Sequence, residues 1–156
     1  MEKYEPFNSE EVWNRVIAQP PELKSGEDIQ TLRKFIDRES TAAAAYVRIS
    51  STTRGSAGRM TAEIAADKKE HIRHMQTIHF IETGDTYAPG VVKGDHDSTL
   101  DALRSRYRGE MELMDMYKKS WNTVENSRLG ELFADFASDS MRHARIVEKI
   151  ISSMMA

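Results

Sequence analysis

The sequence predicts an all-α protein, a four-helix bundle with one long crossover and a short helix before it. The chain has 156 residues but only four prolines and eight glycines, and these helix breakers are clustered, so long helices stay uninterrupted. No long stretch alternates apolar and polar residues with a period of two, so no strand is predicted. The length is that of a single unit, which we divide into an extension over 1–26 and the bundle over 27–156.

The extension contains the first predicted element. Asn8 or Ser9 can cap a short helix whose Val12 and Val16 form a small apolar stripe, since side chains three and four positions apart share a helix face. The segment 20–26 contains Pro and Gly and ends this helix.

The first hairpin of the bundle follows from capping and breaking residues. Ser25 and Asp28 form a capping box that opens the first long helix, which continues to about Thr52, because a Ser side chain and an acidic side chain three positions on satisfy free backbone N–H groups. A turn over 51–58 leads to a second helix that ends at Gly84.

A long connection over 84–97 separates the two hairpins. Ser98 and Asp101 form a second capping box and open a third helix to about Val124. A fourth helix runs to the C-terminus from one of two capping residues, Asn126 or Ser127. Short links join antiparallel neighbours and a long link can cross the bundle, so the helices are expected to run up, down, down and up.

The two predicted hairpins also resemble each other in sequence. At an offset of 71, Leu32, Arg33, Glu39 and Tyr46 match Leu103, Arg104, Glu110 and Tyr117. At an offset of 72, Ala62, Ala65, Asp67, His71, Arg73 and Ile78 match Ala134, Ala137, Asp139, His143, Arg145 and Ile150. The agreement of two ordered sets indicates a duplicated helical hairpin.

Each long helix has an apolar seam that polar residues interrupt near its middle. The interrupting residues are Glu39, Lys68, His71, Glu110, Ser140 and His143. Mid-helix positions share one level of a bundle, so these residues are expected to meet. Buried carboxylates that face imidazoles need a metal, a proton or an internal cation to compensate their charge. Asp67 and Asp139 lie four residues before each His, and each is expected to accept a hydrogen bond from the imidazole across the bundle.

This order of Glu, Tyr, Asp and His in both halves resembles the ferritin-like superfamily, and most closely its rubrerythrin branch. The resemblance implies a site for two iron or manganese ions and redox chemistry of the peroxidase or ferroxidase type. It implies metal ligands at Glu39, His71, Glu110 and His143, orienting acids at Asp67 and Asp139, and hydrogen-bonding or electron-donating tyrosines at Tyr46 and Tyr117. Because the chain has no cysteine, an electron donor of the rubredoxin type would be a separate protein.

The sequence departs from the family at two positions. Three residues before each His, where the family has glutamates that bridge the metals, this chain has Lys68 and Ser140. We expect the Lys68 ammonium to lie among Glu39 and Glu110 and to replace the charge of the metals. The bundle would then be metal-free, a non-catalytic scaffold or interaction module. We keep this as the alternative to the function that the resemblance implies, which is iron, peroxide or dioxygen redox chemistry at a degenerate di-metal site.

Two alternatives keep a metal. If Lys68 extends out of the seam along its own stem, one metal held by the two glutamates and the two histidines becomes reasonable. In the other alternative, Asp67 and Asp139 turn inward as substitute ligands, although their side chains are shorter than that of glutamate. A rival ligand pair, Glu70 and His74, has no counterpart on the fourth helix and is expected on a solvated face.

Composition restricts the partners and the location. Lys and Arg number 22 against 25 Asp and Glu, a net charge of −3, which gives no case for nucleic acid or a membrane surface. The absence of cysteine excludes disulfides and thiolate metal sites. With no long apolar run and no signal-like start, we expect a cytoplasmic protein. Self-association is also expected, with a dimer favoured, through the short first helix or the C-terminal Ile150, Ile151, Met154 and Met155.

Overall fold

The computed structural model describes residues 9–21, 23, 26–124 and 127–156. Within these ranges it contains five α-helices and no strand, which confirms the all-α prediction. The helices are α1 (Ser9–Ala18), α2 (Gly26–Thr52), α3 (Gly55–Thr83), α4 (Thr99–Thr123) and α5 (Ser127–Met155). The predicted capping residues Asn8, Ser25 and Asn126 lie outside the described residues.

The four long helices pack as two hairpins side by side. The α2 helix packs along α3, and α4 packs along α5. Phe35 stacks on Tyr117 while Tyr46, later in α2, bonds to Glu110, earlier in α4. The α2 and α4 helices therefore run in opposite directions.

The turn between α2 and α3 is shorter than the predicted segment 51–58. The helix α2 continues to Thr52 and α3 begins at Gly55. Gly55 has a φ of 73°, which a side chain would make costly. A Cβ on Gly58, in the first turn of α3, would lie only 2.2 Å from the Thr53 carbonyl oxygen. These glycines thus allow a close chain reversal. The expected interruption of the helix up to Gly58 is wrong, because both glycines belong to α3.

The long connection is bounded as predicted and is held against α2. Gly84 ends α3 with a φ of 77°, and its N–H donates to the Phe80 carbonyl oxygen. At the other end, the Ser98 side chain accepts a hydrogen bond from the Asp101 N–H, 3.1 Å away. Between them, the Asp37 carboxylate of α2 accepts hydrogen bonds from Tyr87 and from the backbone N–H of Gly90. Such contacts fix the path of the connection along the bundle.

The extension shares the core of the bundle. Val12 and Val16 of α1 are buried in the cluster formed mainly by α2, α4 and α5. Arg15 forms an ion pair with Glu131 of α5. Because α1 buries Val12 and Val16 within the chain, these two side chains do not face solvent, and self-association through this helix stays a prediction.

Among the described residues, no helix combines the length and the apolar composition that crossing a membrane requires.

Candidate functional site

The six polar seam residues come together at the middle of the bundle. We call them the charged layer: Glu39, Lys68, His71, Glu110, Ser140 and His143. Five of them are fully buried and His71 is 3% exposed, which confirms that the polar positions face the interior. The helix α2 contributes one residue, α3 two, α4 one and α5 two.

Lys68 occupies the centre of the charged layer. Its Nζ donates hydrogen bonds to Glu39 Oε1 at 3.1 Å and to Glu110 Oε2 at 2.9 Å. Burial lowers the pKa of Lys68, but the charges of Glu110 and Glu39 outweigh burial and raise it. The predicted position of the ammonium between the two glutamates is confirmed, and the side chain does not extend out of the seam.

The two glutamates are ionised in return. Burial raises the pKa of each carboxyl group, but the nearby charge of Lys68 is the largest opposing effect. The net result lowers the pKa of Glu39, and it lowers that of Glu110 to about 2. An ammonium between two carboxylates is thus the pairing that keeps all three charges in the interior.

His71 adds a second positive charge. Its Nδ1 lies 2.9 Å from Glu39 Oε2, and its Nε2 lies 2.8 Å from Asp139 Oδ2. Burial lowers the pKa of His71, but Glu39 and the hydrogen bond to Asp139 raise it to about 9. Since both ring nitrogens face carboxylates, both donate, and the ring is an imidazolium.

His143 makes only half of the equivalent contacts. Its Nε2 donates to Asp67 Oδ2 at 2.9 Å, so the predicted pairing of each imidazole with the acid of the other hairpin is confirmed. Its Nδ1 lies 3.8 Å from Glu110 Oε2 and has no hydrogen-bond partner among the described residues. The two halves of the layer therefore differ.

Arg142 is a member of the network that sequence reasoning missed. Its guanidinium donates to Asp67 at 2.7 Å and to Asp139 at 3.3 Å. Burial raises the pKa of Asp67, but hydrogen bonds from His143 and Arg142 lower it to about 2. The position of Arg142, three residues after Asp139 and so on the same helix face, was the available signal.

Each of the paired tyrosines faces one of the two glutamates. Tyr46 donates to Glu110 Oε1 at 2.9 Å, and the Tyr117 hydroxyl faces Glu39 without a hydrogen bond of normal geometry. Burial, reinforced by the neighbouring carboxylates, raises the pKa of both phenols well above the usual value. Both tyrosines are therefore neutral.

The residues present do not fit a di-metal centre. Lys68 and Ser140 stand where bridging carboxylates would be needed, and an ammonium has no lone pair to give a metal. Lys68 also binds a carboxylate oxygen of each glutamate. Within the described part of the chain, no group of three or more His, Asp or Glu side chains is arranged to hold a metal ion.

Three further polar groups lie outside the predicted site. His74, expected on a solvated face, instead stacks on Trp13 of α1 at 3.8 Å, because α1 covers that part of α3. His79 is buried and accepts a hydrogen bond from Arg33. Asp135, also buried, accepts one from Ser9, and burial and the charge of Asp139 raise its pKa to about 6. Its place four residues before Asp139 was the signal in the sequence.

Comparison of the chain with protein-family models, with curated proteins and with solved structures finds no match.

Proposed function

We propose that this protein is a ferritin-like, rubrerythrin-type bundle in which an internal salt bridge replaces the metals, and that it acts as a non-catalytic scaffold or interaction module. The observation that carries the proposal is the Lys68 ammonium, fully buried and within 3.1 Å of both Glu39 and Glu110. The oxygens that would face metal ions are bonded to this side chain.

The fold and the repeated pattern support the ferritin-like assignment. The contacts of α2 with α4 and of α3 with α5 fit an up, down, down, up order with a long crossover. Each hairpin also supplies one Glu, one Tyr, one Asp and one His to the same level. A bundle repacked with apolar residues would not need this set in both halves.

The charges explain how the layer holds together without a cofactor. Four carboxylates face it, from Glu39, Asp67, Glu110 and Asp139, and three cations oppose them, from Lys68, His71 and Arg142. Every one of these cations belongs to the chain. They compensate three of the four negative charges, and the Asp67 side chain is 38% exposed, so the buried part of the layer can form during folding without a mobile ion.

Burial argues against chemistry at the layer. Lys68, Glu39 and Glu110 are all fully buried, so a substrate cannot touch them unless the helices move apart. The raised pKa of Tyr46 and of Tyr117 keeps both phenols protonated. A layer of this kind stabilises and specifies the bundle, which leaves interaction with partners to the outer faces.

One observation favours a second candidate, a single-metal redox protein of the peroxidase or ferroxidase type. The unpartnered Nδ1 of His143 faces Glu110 at 3.8 Å, and Glu39 and His71 converge on the same layer. These four side chains would be the ligands of one iron or manganese ion, which would supply electron transfer to peroxide or dioxygen. This candidate requires Lys68 to leave the space between the glutamates and His71 to give up a proton, since an imidazolium has no lone pair for a metal.

Metal loading separates the two candidates. Purified protein is exposed to Fe²⁺ or Mn²⁺ without oxygen, desalted and analysed for metal, and its peroxide consumption is measured. We expect no stoichiometric metal and peroxide consumption equal to that of buffer. One tightly held metal per chain would favour the second candidate, and two would overturn the proposal.

A double variant tests the same idea in the other direction. Lys68→Glu with Ser140→Glu restores carboxylates at both bridging positions, so we expect it to gain metal binding, seen as bound metal and a raised Tm. Lys69→Glu, at an exposed neighbour of Lys68, is the matched control and should gain nothing. A folded double variant without metal would show that the layer is not an altered metal site.

A further inference from the structure

The surface pocket beside the crossover differs from the charged layer in being open and positively charged. This crossover pocket lies between the C-terminal part of α2, the end of the connection and the first turns of α4, and its volume is about 350 Å³. Small-molecule sites commonly begin at about this size. Its floor is apolar and includes Ala45, Ile49 and Ala102.

Positive side chains surround this floor. Arg48 comes from α2, Lys93 from the connection and Arg106 from α4, and Asp95 is the one acidic residue among the lining. His96 also lines the pocket. Three permanent cations against one carboxylate stand out in a chain whose net charge is −3.

The cations of the crossover pocket have no ionic partners in the part of the chain that the structure describes. Among the described residues, Arg48, Lys93 and Arg106 form no ion pair with a carboxylate, since none of the ion pairs involves them. Arg106 instead lies over the ring of Tyr46, 5.9 Å from its centroid, which holds its guanidinium at the pocket. Half-buried arginines without acidic partners are suited to bind an anion.

Two other surface pockets show the contrast. In the pocket along the middle of α2, Arg38 pairs with Glu112 and Arg33 donates to His79. In the pocket on α5, Arg142 pairs with Asp67 and Asp139, and Arg145 and Lys149 line the pocket together with Glu148. At least one arginine of each of these two pockets is therefore bound to a partner in the fold, whereas neither arginine of the crossover pocket has an acidic partner among the described residues.

We propose that the crossover pocket binds a small organic molecule that carries a phosphate group. Arg48 and Arg106 present planar donor groups that match phosphate oxygens, and the exposed Lys93 adds a third charge from the connection. The apolar floor of Ala45, Ile49 and Ala102 accommodates the organic part. The site lies outside the charged layer, so it does not depend on whether that layer binds metal.

Isothermal titration calorimetry on the full chain tests this site. The probes are AMP, inorganic pyrophosphate and, as a carboxylate without phosphorus, citrate. We expect AMP to bind more tightly than pyrophosphate, because it also covers the apolar floor, and citrate to bind most weakly. No heat of binding from AMP or pyrophosphate at millimolar concentration would overturn the proposal, as would tighter binding of citrate than of AMP.

Single variants locate the site. Arg48→Gln and Lys93→Gln should each weaken AMP binding at least tenfold, and Lys93 lies on an exposed connection where the change does not disturb packing. Lys119→Gln removes the same charge from an exposed site on α4, about 30 Å along the helix from its start. Unchanged affinity in that control is expected, whereas an equal loss in all three variants would show unspecific attraction and contradict the site.

Discussion

A fully buried lysine side chain needs acceptors for its ammonium, and Lys68 has them in Glu39 and Glu110. Its charge in turn keeps two buried carboxylates ionised. The three groups depend on one another, so the loss of one leaves an uncompensated charge in the interior.

Lys68→Met tests the interdependence directly. The variant keeps the apolar stem but leaves two carboxylates facing each other, so we expect a loss of about 3–5 kcal/mol in the free energy of unfolding at pH 7. The loss should shrink as the pH falls towards 4, because the glutamates then take up protons. Urea unfolding followed by circular dichroism measures both effects.

The matched control for this variant is Lys69→Met, at an exposed position. Its effect should stay within about 0.5 kcal/mol at either pH. An equally small effect of Lys68→Met at pH 7 would mean that the ammonium does not neutralise the glutamates.

The raised pKa of His71 predicts how the free energy of unfolding depends on pH. This pKa is raised to about 9 in the folded state, so the contribution of His71 is complete below about 6.5, the usual value, and is lost as the pH rises through 9. Stability should therefore fall over this range, by up to about 1.4 kcal/mol per pH unit. Urea midpoints measured from pH 6 to 9.5 give the slope.

Two variants test whether His71 causes this pH dependence of stability. His71→Gln should flatten it, because the ionising group is gone, while His96→Gln at an exposed position should keep the slope of the unaltered protein. The same slope in all three proteins would show that His71 does not carry the extra proton.

Sequence predicted which residues meet in the layer but not how evenly they pair. The repeated Glu, Asp and His positions predicted which side chains pair. Lys68, at a position where the family has a bridging glutamate, predicted the internal cation. The unpartnered Nδ1 of His143 and the bridging role of Arg142 depend on side-chain geometry. Spacing along a helix predicts on which face of the helix a residue lies, but it does not predict which atom its side chain bonds to.

At the level of elements, the ends of the helices were predicted well where a cap has a local signal. Ser98 with Asp101, and Gly84, stand where capping chemistry puts them. The turn between α2 and α3 was predicted too long, because glycine suggested an interruption. In the folded chain Gly58 belongs to the helix and serves a close approach to Thr53, which is a tertiary contact that sequence alone does not reveal.

Gly58→Ala tests this explanation of the turn. Helix propensity alone would make the change stabilising by about 1 kcal/mol. The clash of the new Cβ with the Thr53 carbonyl oxygen should reverse the sign, and we expect a loss of about 1–3 kcal/mol, measured by urea unfolding. Gly26→Ala, where the new Cβ meets no atom within 4 Å, is the control and should change little. A stabilised Gly58→Ala variant would contradict the close approach.

Over the whole molecule, two similar hairpins surround one asymmetric centre. His71 and His143 each pair with the acid of the opposite hairpin, as a duplicated unit would require. Lys68 has no equivalent on α5, where Ser140 stands with its hydroxyl unpartnered among the described residues. A single lysine therefore serves both glutamates, and this asymmetry distinguishes the proposed scaffold from a symmetric metal site.

The central claim is that Lys68, and not a metal ion, occupies the space between Glu39 and Glu110. Crystallography tests this claim most directly. Crystals are grown at neutral pH from protein that has been exposed to Fe²⁺ and Mn²⁺, and anomalous differences are collected at both absorption edges. We predict continuous side-chain density for Lys68 ending about 3 Å from both carboxylates, without an anomalous peak. An anomalous peak bound by the two glutamates, with Lys68 directed elsewhere, would contradict the account.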